Sequence, residues 1–183
     1  ADKHRIKTYS LAGTKENSPV QSKTIWGGKE KREQKIVSDY ILRTFEKLTD
    51  EQPEVEGPKT IVAGNLKHLR TTYTYHSISI MNWKQVVKLL HPTPAVAGTP
   101  KKKAIDFILK NEQDSRSFYS GYLGPVNLQG QVNLFVNLRC MNVLKKKLIL
   151  YAGCGITAES NPDAEWTETE IKLQTLLSVL SKS

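Results

Sequence analysis

Cysteine is scarce in this chain of 183 residues: only Cys140 and Cys154 occur, and neither stands beside the partners that a zinc cluster needs. Both lie in apolar, strand-like surroundings, so two reduced, buried thiols are expected. No run of about 18 apolar residues is present to cross a membrane. With no signal peptide either, the expectation is a soluble cytoplasmic monomer with no membrane partner. The sequence also lacks internal repeats and low-complexity tracts. Its 38% hydrophobic and 25% charged residues fit one globular domain over residues 1–183. The net charge of +9 would attract anions, but no aromatic residues alternate with the lysines as a single-strand nucleic-acid surface requires. Lys29 and Lys31, Lys101 to Lys103 and Lys145 to Lys147 therefore read as solvated faces and turns, with no nucleic-acid partner. Ala1-Asp2-Lys3-His4 does not resemble a natural start, and a piece of a longer protein is expected.

Periodicity supplies the elements. Arg5 to Ala12 reads as a strand running into a Gly13-Thr14 turn, followed by a polar loop through Ser22 that contains Pro19. Val37, Ile41, Phe45 and Leu48 fall on one side of a helix from about Lys29 to Leu48, which the Pro53 to Pro58 segment ends. Thr60 to Ala63 and Leu69 to Tyr75 suggest strands, and Trp83 to Leu90 a helix. Three prolines crowd His91-Pro92-Thr93-Pro94-Ala95-Val96-Ala97-Gly98-Thr99-Pro100. Pro100 then suits a first helical turn, with Ala104, Ile105, Ile108 and Leu109 forming the buried side. Phe118 to Asn127, Val132 to Met141 and Leu148 to Ala152 read as three successive strands. A last helix starts at Asn161-Pro162-Asp163, with Leu173, Leu176, Leu177 and Leu180 as its apolar stripe. The expected fold is α+β: a mainly antiparallel sheet, built as a β-meander, with packed helices.

Two pairs of acids have the same three-residue spacing. Glu33 lies within ~40° of Val37 around the first long helix, and Glu30 falls in the same apolar arc, so both would face inward. The alternative is a later helix start, with both acids solvated in the first turn and complementing its dipole. Glu165 and Glu168 sit near the other end of the chain, where a surface Glu168–Lys172 pair is the competing reading. Together, four carboxylates without histidine or cysteine beside them suit a hard cation such as Mg²⁺. His68 lies between apolar neighbours, as a structural histidine would. Arg139 interrupts an apolar strand, which suits a carboxylate ligand unless its head reaches water at an edge. Gly153 and Gly155 follow a strand closely enough for their N–H groups to meet a ligand, although ordinary tight turns use the same pattern.

These hints occur in the order found in the chorismate-utilising enzymes, the family of anthranilate synthase component I. Leu11-Ala12-Gly13-Thr14 resembles that family's LAGT segment and Lys29 to Val37 its first metal helix. Leu66 to Leu69 resembles its histidine segment, and Arg116 to Gly124 its tyrosine strand. Leu138-Arg139-Cys140 resembles the arginine strand, Tyr151 to Ile156 the glycine turn, and Pro162 to Lys172 the second metal helix. The resemblance implies the C-terminal part of that fold. It also implies that Glu30, Glu33, Glu165 and Glu168 surround Mg²⁺. Gly13, Thr14, Tyr119, Arg139, Gly153, Gly155 and Lys172 would contact chorismate, with His68 beside the ring.

Within the family, HPTPAVAGTP is similar to the branch of isochorismate synthase and salicylate synthase, since the amine-adding enzymes usually carry a PxGxxxGxPK-type segment. The implied reaction adds water at C2 of chorismate while the C4 hydroxyl leaves, as an isomerase of menaquinone or siderophore biosynthesis does. Gln34 stands where a histidine is common, and Cys154 where an alanine is. The family's lysine general base and glutamate general acid lie upstream of the LAGT segment, and neither Lys3 nor Lys7 matches them. The catalytic residues are thus unassigned, and no turnover is expected of this chain alone. Two alternatives stand beside this reading: salicylate synthase, and a non-catalytic basic binding module.

Overall fold

The computed structural model describes residues 1, 5–17, 24–76 and 83–180. The polar loop expected through Ser22 lies largely outside these residues. Strand β1 spans Ile6–Glu16, helix α1 Gly28–Phe45, strand β2 Glu54–Ala63 and strand β3 Leu66–Tyr75. The three strands form an antiparallel sheet in the order β1-β3-β2, with α1 packed on β1 and β3. Central strand β3 is buried at nine of its ten positions, which suits its threonines and tyrosines, residues that favour a pleated and covered surface.

Two expectations about these strands are corrected. The LAGT segment is not a turn that ends β1: pairing continues through it, with Thr14 opposite His68, and the register shifts between Ala12 and Thr14. Gly13 is the extra residue of that bulge, at φ 72°. Likewise, Pro53 to Pro58 does not merely end the helix, because β2 already begins at Glu54. An edge strand tolerates a proline, and a register shift between Glu56 and Lys59 absorbs Gly57-Pro58.

The stripe expected on α1 is the core. Val37, Ile41 and Phe45 cluster with Ile6, Tyr73, Tyr75 and Val86, and the Phe45 ring stacks on Tyr75 with centroids 4.0 Å apart. Burial pushes the Tyr75 hydroxyl up to about 12. Helix α2 (Trp83–Leu90) contributes Val86, and the proline-rich segment folds a short helix of its own, α3 (Pro94–Ala97). Helix α4 (Lys101–Asn111) corrects another expectation. None of Ala104, Ile105, Ile108 and Leu109 is fully buried, and Leu109 is 75% exposed. Periodicity shows which side of a helix could be covered, and α4 has α3 as its main neighbour.

The three strands expected after α4 are instead six short ones: β4 (Tyr122–Leu123), β5 (Val126–Leu128), β6 (Gln131–Val132), β7 (Phe135–Val136), β8 (Cys140–Val143) and β9 (Leu148–Tyr151). They pair as the antiparallel ladders β4–β7, β5–β6 and β8–β9. Left-handed backbone at Ser120, Asn127, Gln129 and Arg139 interrupts longer ladders, as does Gly124, whose added Cβ would fall 1.9 Å from the Asn133 carbonyl oxygen. Phe118, Leu128, Phe135 and Val143 remain exposed in this region. Helix α5 (Pro162–Leu180) starts as expected, with the Ala164 N–H donating to Asn161 Oδ1 at 3.1 Å. Its stripe is only partly covered: Leu173 and Leu176 are half-buried, and Leu177 and Leu180 are exposed. Among the described residues, no helix is long and apolar enough to cross a membrane.

Candidate active site

Both expected acids of α1 are half-buried in its first two turns. Helix α1 begins at Gly28, so Glu30 does lie in the first turn, yet it does not point freely into water. Its side chain is tucked against two glycines. A Cβ on Gly27 would fall 2.8 Å from Glu30 Oε2, and one on Gly13 would fall 2.9 Å from the Glu30 Cβ. The glycine bulge of β1 thus makes room for the carboxylate-bearing end of α1. Lys15 Nζ lies 3.7 Å from Glu30 Oε1. Burial pushes the Glu33 carboxyl up, with Lys29 acting against it and Glu168 and Glu165 adding to it.

Glu165 is 3% exposed, the most buried acid of α5, where helical periodicity alone left it flanking the leucine stripe. Its Oε1 takes the ammonium of Lys29 from α1, and its Oε2 is buried without a hydrogen-bond partner. Burial raises this carboxyl, but Lys29, by hydrogen bond and charge, together with Ser160 and Cys154, outweighs that and leaves it below its ordinary value. Lys29 Nζ also lies 3.8 Å from Glu33 Oε1. Lys29 is therefore no solvated lysine; it joins two helices by meeting an acid 136 positions further along the chain. Glu168 is half-buried and pairs with Lys172 Nζ at 2.7 Å. Among the described residues, no three His, Cys, Asp or Glu side chains converge as ready ligands, and Lys29 stands between Glu33 and Glu165.

The substrate-contact candidates fall into two sets of contacts, one around His68 and one around Gly153. Arg139 Nη2 donates to His68 Nε2 at 2.7 Å, and His68 Nδ1 lies 3.0 Å from the Gly13 carbonyl oxygen. These partners assign the proton to Nδ1, which leaves a neutral imidazole. Thr14 Oγ1 lies 3.4 Å from the same nitrogen. Arg139 is half-buried at φ 48°, a conformation that a non-glycine residue rarely adopts. Burial lowers its pKa, which the charge of Glu168 opposes. Lys172 Nζ donates to the Gly153 carbonyl at 2.8 Å. Gly153 leaves room for Tyr119, whose hydroxyl would be 2.6 Å from an added Cβ. Gly155 packs near Glu33, 3.6 Å from Oε1 by the same measure. Tyr119 stacks on Tyr151 with centroids 5.7 Å apart, and burial pushes its hydroxyl up. The cysteines are free and half-buried rather than fully buried, and burial raises the Cys154 thiol.

Several supporting residues escaped sequence reasoning. Arg116 Nη1 reaches the Val96 carbonyl at 3.3 Å and Ser120 Oγ at 3.2 Å, and its guanidinium lies over the Tyr119 ring. The proline-rich segment thereby meets the tyrosine-containing segment through Arg116, and through the His91 ring, which packs edge-on against Tyr122 with centroids 5.0 Å apart. Lys101 is half-buried, not solvated, and donates to the His91 carbonyl at 3.0 Å. Gln34 Nε2 donates to Ser10 Oγ and Thr71 Oγ1, both at 2.8 Å, while its Oε1 is buried without a hydrogen-bond partner. An Arg side chain four residues after an acid in a polar segment was the available signal for Arg116, which binds Glu112 in this way.

The neutral state of His68 gives a pH dependence. Burial holds its pKa below the ordinary 6.5, and Arg139 adds repulsion. Its contribution to stability is therefore complete above 6.5 and lost as the pH falls through the lower folded value. His91 shifts in the same direction through burial and Lys101. The melting temperature should fall between neutral pH and about pH 5, and His68→Gln should flatten that fall. Parallel curves for the two proteins would show that His68 is not the source.

A bulged glycine strand meets a neutral histidine that a half-buried arginine binds, and two helices carry the acids joined by Lys29. The chain belongs to the chorismate-binding enzymes: the family model described as "Chorismate binding enzyme" matches residues 1–181. Isochorismate synthase EntC of Escherichia coli K12 is 29% identical over 97% of this chain and 47% of its own length. Isochorismate synthase DhbC of Bacillus subtilis is 30% identical over 94% of this chain and 46% of its own. Among solved structures, MenF, the menaquinone-specific isochorismate synthase of Escherichia coli, superposes with a TM-score of 0.83 at 27% identity, covering 98% of this chain and 43% of that one. DhbC of Bacillus anthracis gives 0.86 at 29%, covering all of this chain and 51% of that one. The chain thus spans about half the length of these relatives, and the expected fold class holds.

Proposed function

We propose that this chain forms the metal- and substrate-binding part of a Mg²⁺-dependent isochorismate synthase of menaquinone or siderophore type. In that reaction water adds at C2 of chorismate and the C4 hydroxyl leaves. The observation that carries the reading is the junction of α1 and α5. Folding brings Glu33 and the buried Glu165 to one ammonium, that of Lys29, so this junction is built for a positive charge between two acids. The donor set fits Mg²⁺: carboxylate oxygens only, one of them buried without a partner, and a glycine cradle around Glu30. Glu30, Glu33, Glu165 and Glu168 would hold the ion, directly or through water. When bound, it would orient the ring carboxylate and stabilise charge there.

The chain's own residues would bind and orient the substrate. Arg139 and Tyr119 are proposed to hold the enolpyruvyl carboxylate, with Lys172 and the N–H groups of Gly153 and Gly155 completing the anion site. His68, neutral and braced by Gly13, would keep the Arg139 fork aimed without adding a competing charge. No residue of this chain is assigned the proton transfers. These are proposed to come from further polypeptide that packs against the exposed apolar side chains of residues 118–143, where Phe118 is 85% and Phe135 62% exposed.

Two measurements test this. Incubated alone with chorismate and Mg²⁺, the chain should form no isochorismate, and an enzyme-like rate would defeat the assignment of proton transfer elsewhere. In the presence of a chorismate analogue, Mg²⁺ should raise the melting temperature, and Glu165→Ala should abolish the shift. An equal shift in the variant would favour a binding module with solvated acids. Product analysis after supplying the remainder of the fold would separate isochorismate from salicylate.

A further inference from the structure

Three lysines serve the four carboxylates of the cluster. Lys15 faces Glu30, Lys172 holds Glu168, and Lys29 serves both Glu33 and Glu165. The first two pairs do not span α1 and α5. Lys29 does: it sits in the first turn of α1 and binds the most buried acid of α5. The Lys29 side chain is 33% exposed, so the flexible four-carbon stem has a way out to solvent.

We propose that Lys29 is an internal counter-ion that bridges α1 and α5 in the metal-free protein and must leave Glu165 for a divalent cation to bind. The inference rests on the Mg²⁺ reading of this site. Its physical basis is charge: Lys29 Nζ touches Glu165 and lies 3.8 Å from Glu33 Oε1, so a divalent cation held by the same two acids would sit against the ammonium and repel it. Without Lys29 the site would keep its carboxylates and lose their compensation. The metal-free state would then be less stable and the affinity for Mg²⁺ higher, because the cation no longer displaces a bound charge. Lys29 is thus a residue that sets the metal affinity, not a catalytic residue.

Titration calorimetry with MgCl₂ alone tests this on the wild type, Lys29→Met, Glu165→Gln and Lys35→Met. The last removes a remote exposed charge of the same helix, paired with Asp39. Lys29→Met should bind Mg²⁺ about tenfold tighter or more, and should melt lower without Mg²⁺ while gaining a larger shift with it. Lys35→Met should leave the affinity within about twofold. Equal or weaker binding by Lys29→Met, with Mg²⁺ still binding the wild type and lost in Glu165→Gln, would overturn the displacement while sparing the metal reading. No binding by any of the four would overturn both. Should Lys29→Met fail to fold, acetylation footprinting of the wild type decides. Lys29 should become more reactive when Mg²⁺ is added, and unchanged reactivity refutes its release.

Discussion

Arg139→Met should weaken the binding of a dicarboxylate chorismate analogue by roughly 10- to 100-fold while leaving the circular dichroism spectrum of the chain intact. A hydrogen bond to a charged group contributes about 1.5–3 kcal/mol, and the fork of an arginine can make two to one carboxylate. Arg139 suits that task on three grounds. It is half-buried, its backbone sits at φ 48°, and its hydrogen bond goes to a neutral imidazole rather than to an acid. A guanidinium that loses hydration without gaining a carboxylate bond is poorly compensated until an anion arrives. Arg139→Lys should recover only part of the affinity, because a point charge cannot replace the fork. Titration by calorimetry at fixed Mg²⁺ measures both variants. Unchanged affinity in Arg139→Met would remove the arginine from the substrate site and leave it as a structural partner of His68.

The parts of this arrangement legible in the sequence are those set by local rules. The Val37, Ile41 and Phe45 stripe, the Asn161 cap and the antiparallel order follow from spacing and side-chain type. What local rules could not supply was which covered surface each element meets. Glu165 looked peripheral to its helix because a leucine stripe was taken to be the buried side, whereas the partner it meets is Lys29 on a distant helix. The same gap explains α4, whose apolar side is incompletely covered, and the six strand fragments, whose breaks lie at backbone conformations no periodicity encodes. The resemblance in motif order made up part of this deficit for the carboxylates. It offered nothing on Lys29, because a lysine in a basic helix start looks solvated until its acid is located.

Phe45→Ala is expected to have the largest effect on stability, about 3–5 kcal/mol. Phe45 is 1% exposed and stacks on Tyr75, which is equally buried, so truncation would open a cavity between α1 and β3 that neither rigid element can close. A domain of ordinary stability has about 5–15 kcal/mol in total, and the core in which Phe45 lies is small. The effect should reach the site as well. The same helix carries Lys29, Glu30 and Glu33 at its other end, so loosening its C-terminal anchor lets the carboxylates of α1 drift from Glu165. Denaturant unfolding should show the loss directly, and Mg²⁺ with the analogue should restore less stability to Phe45→Ala than to the wild type. Leu109→Ala on α4 provides the contrast: at 75% exposed it should change stability by no more than about 0.5 kcal/mol, although the helical periodicity ranks both residues as core. Similar losses for the two substitutions would mean that α4 is covered in solution and that burial does not separate these positions.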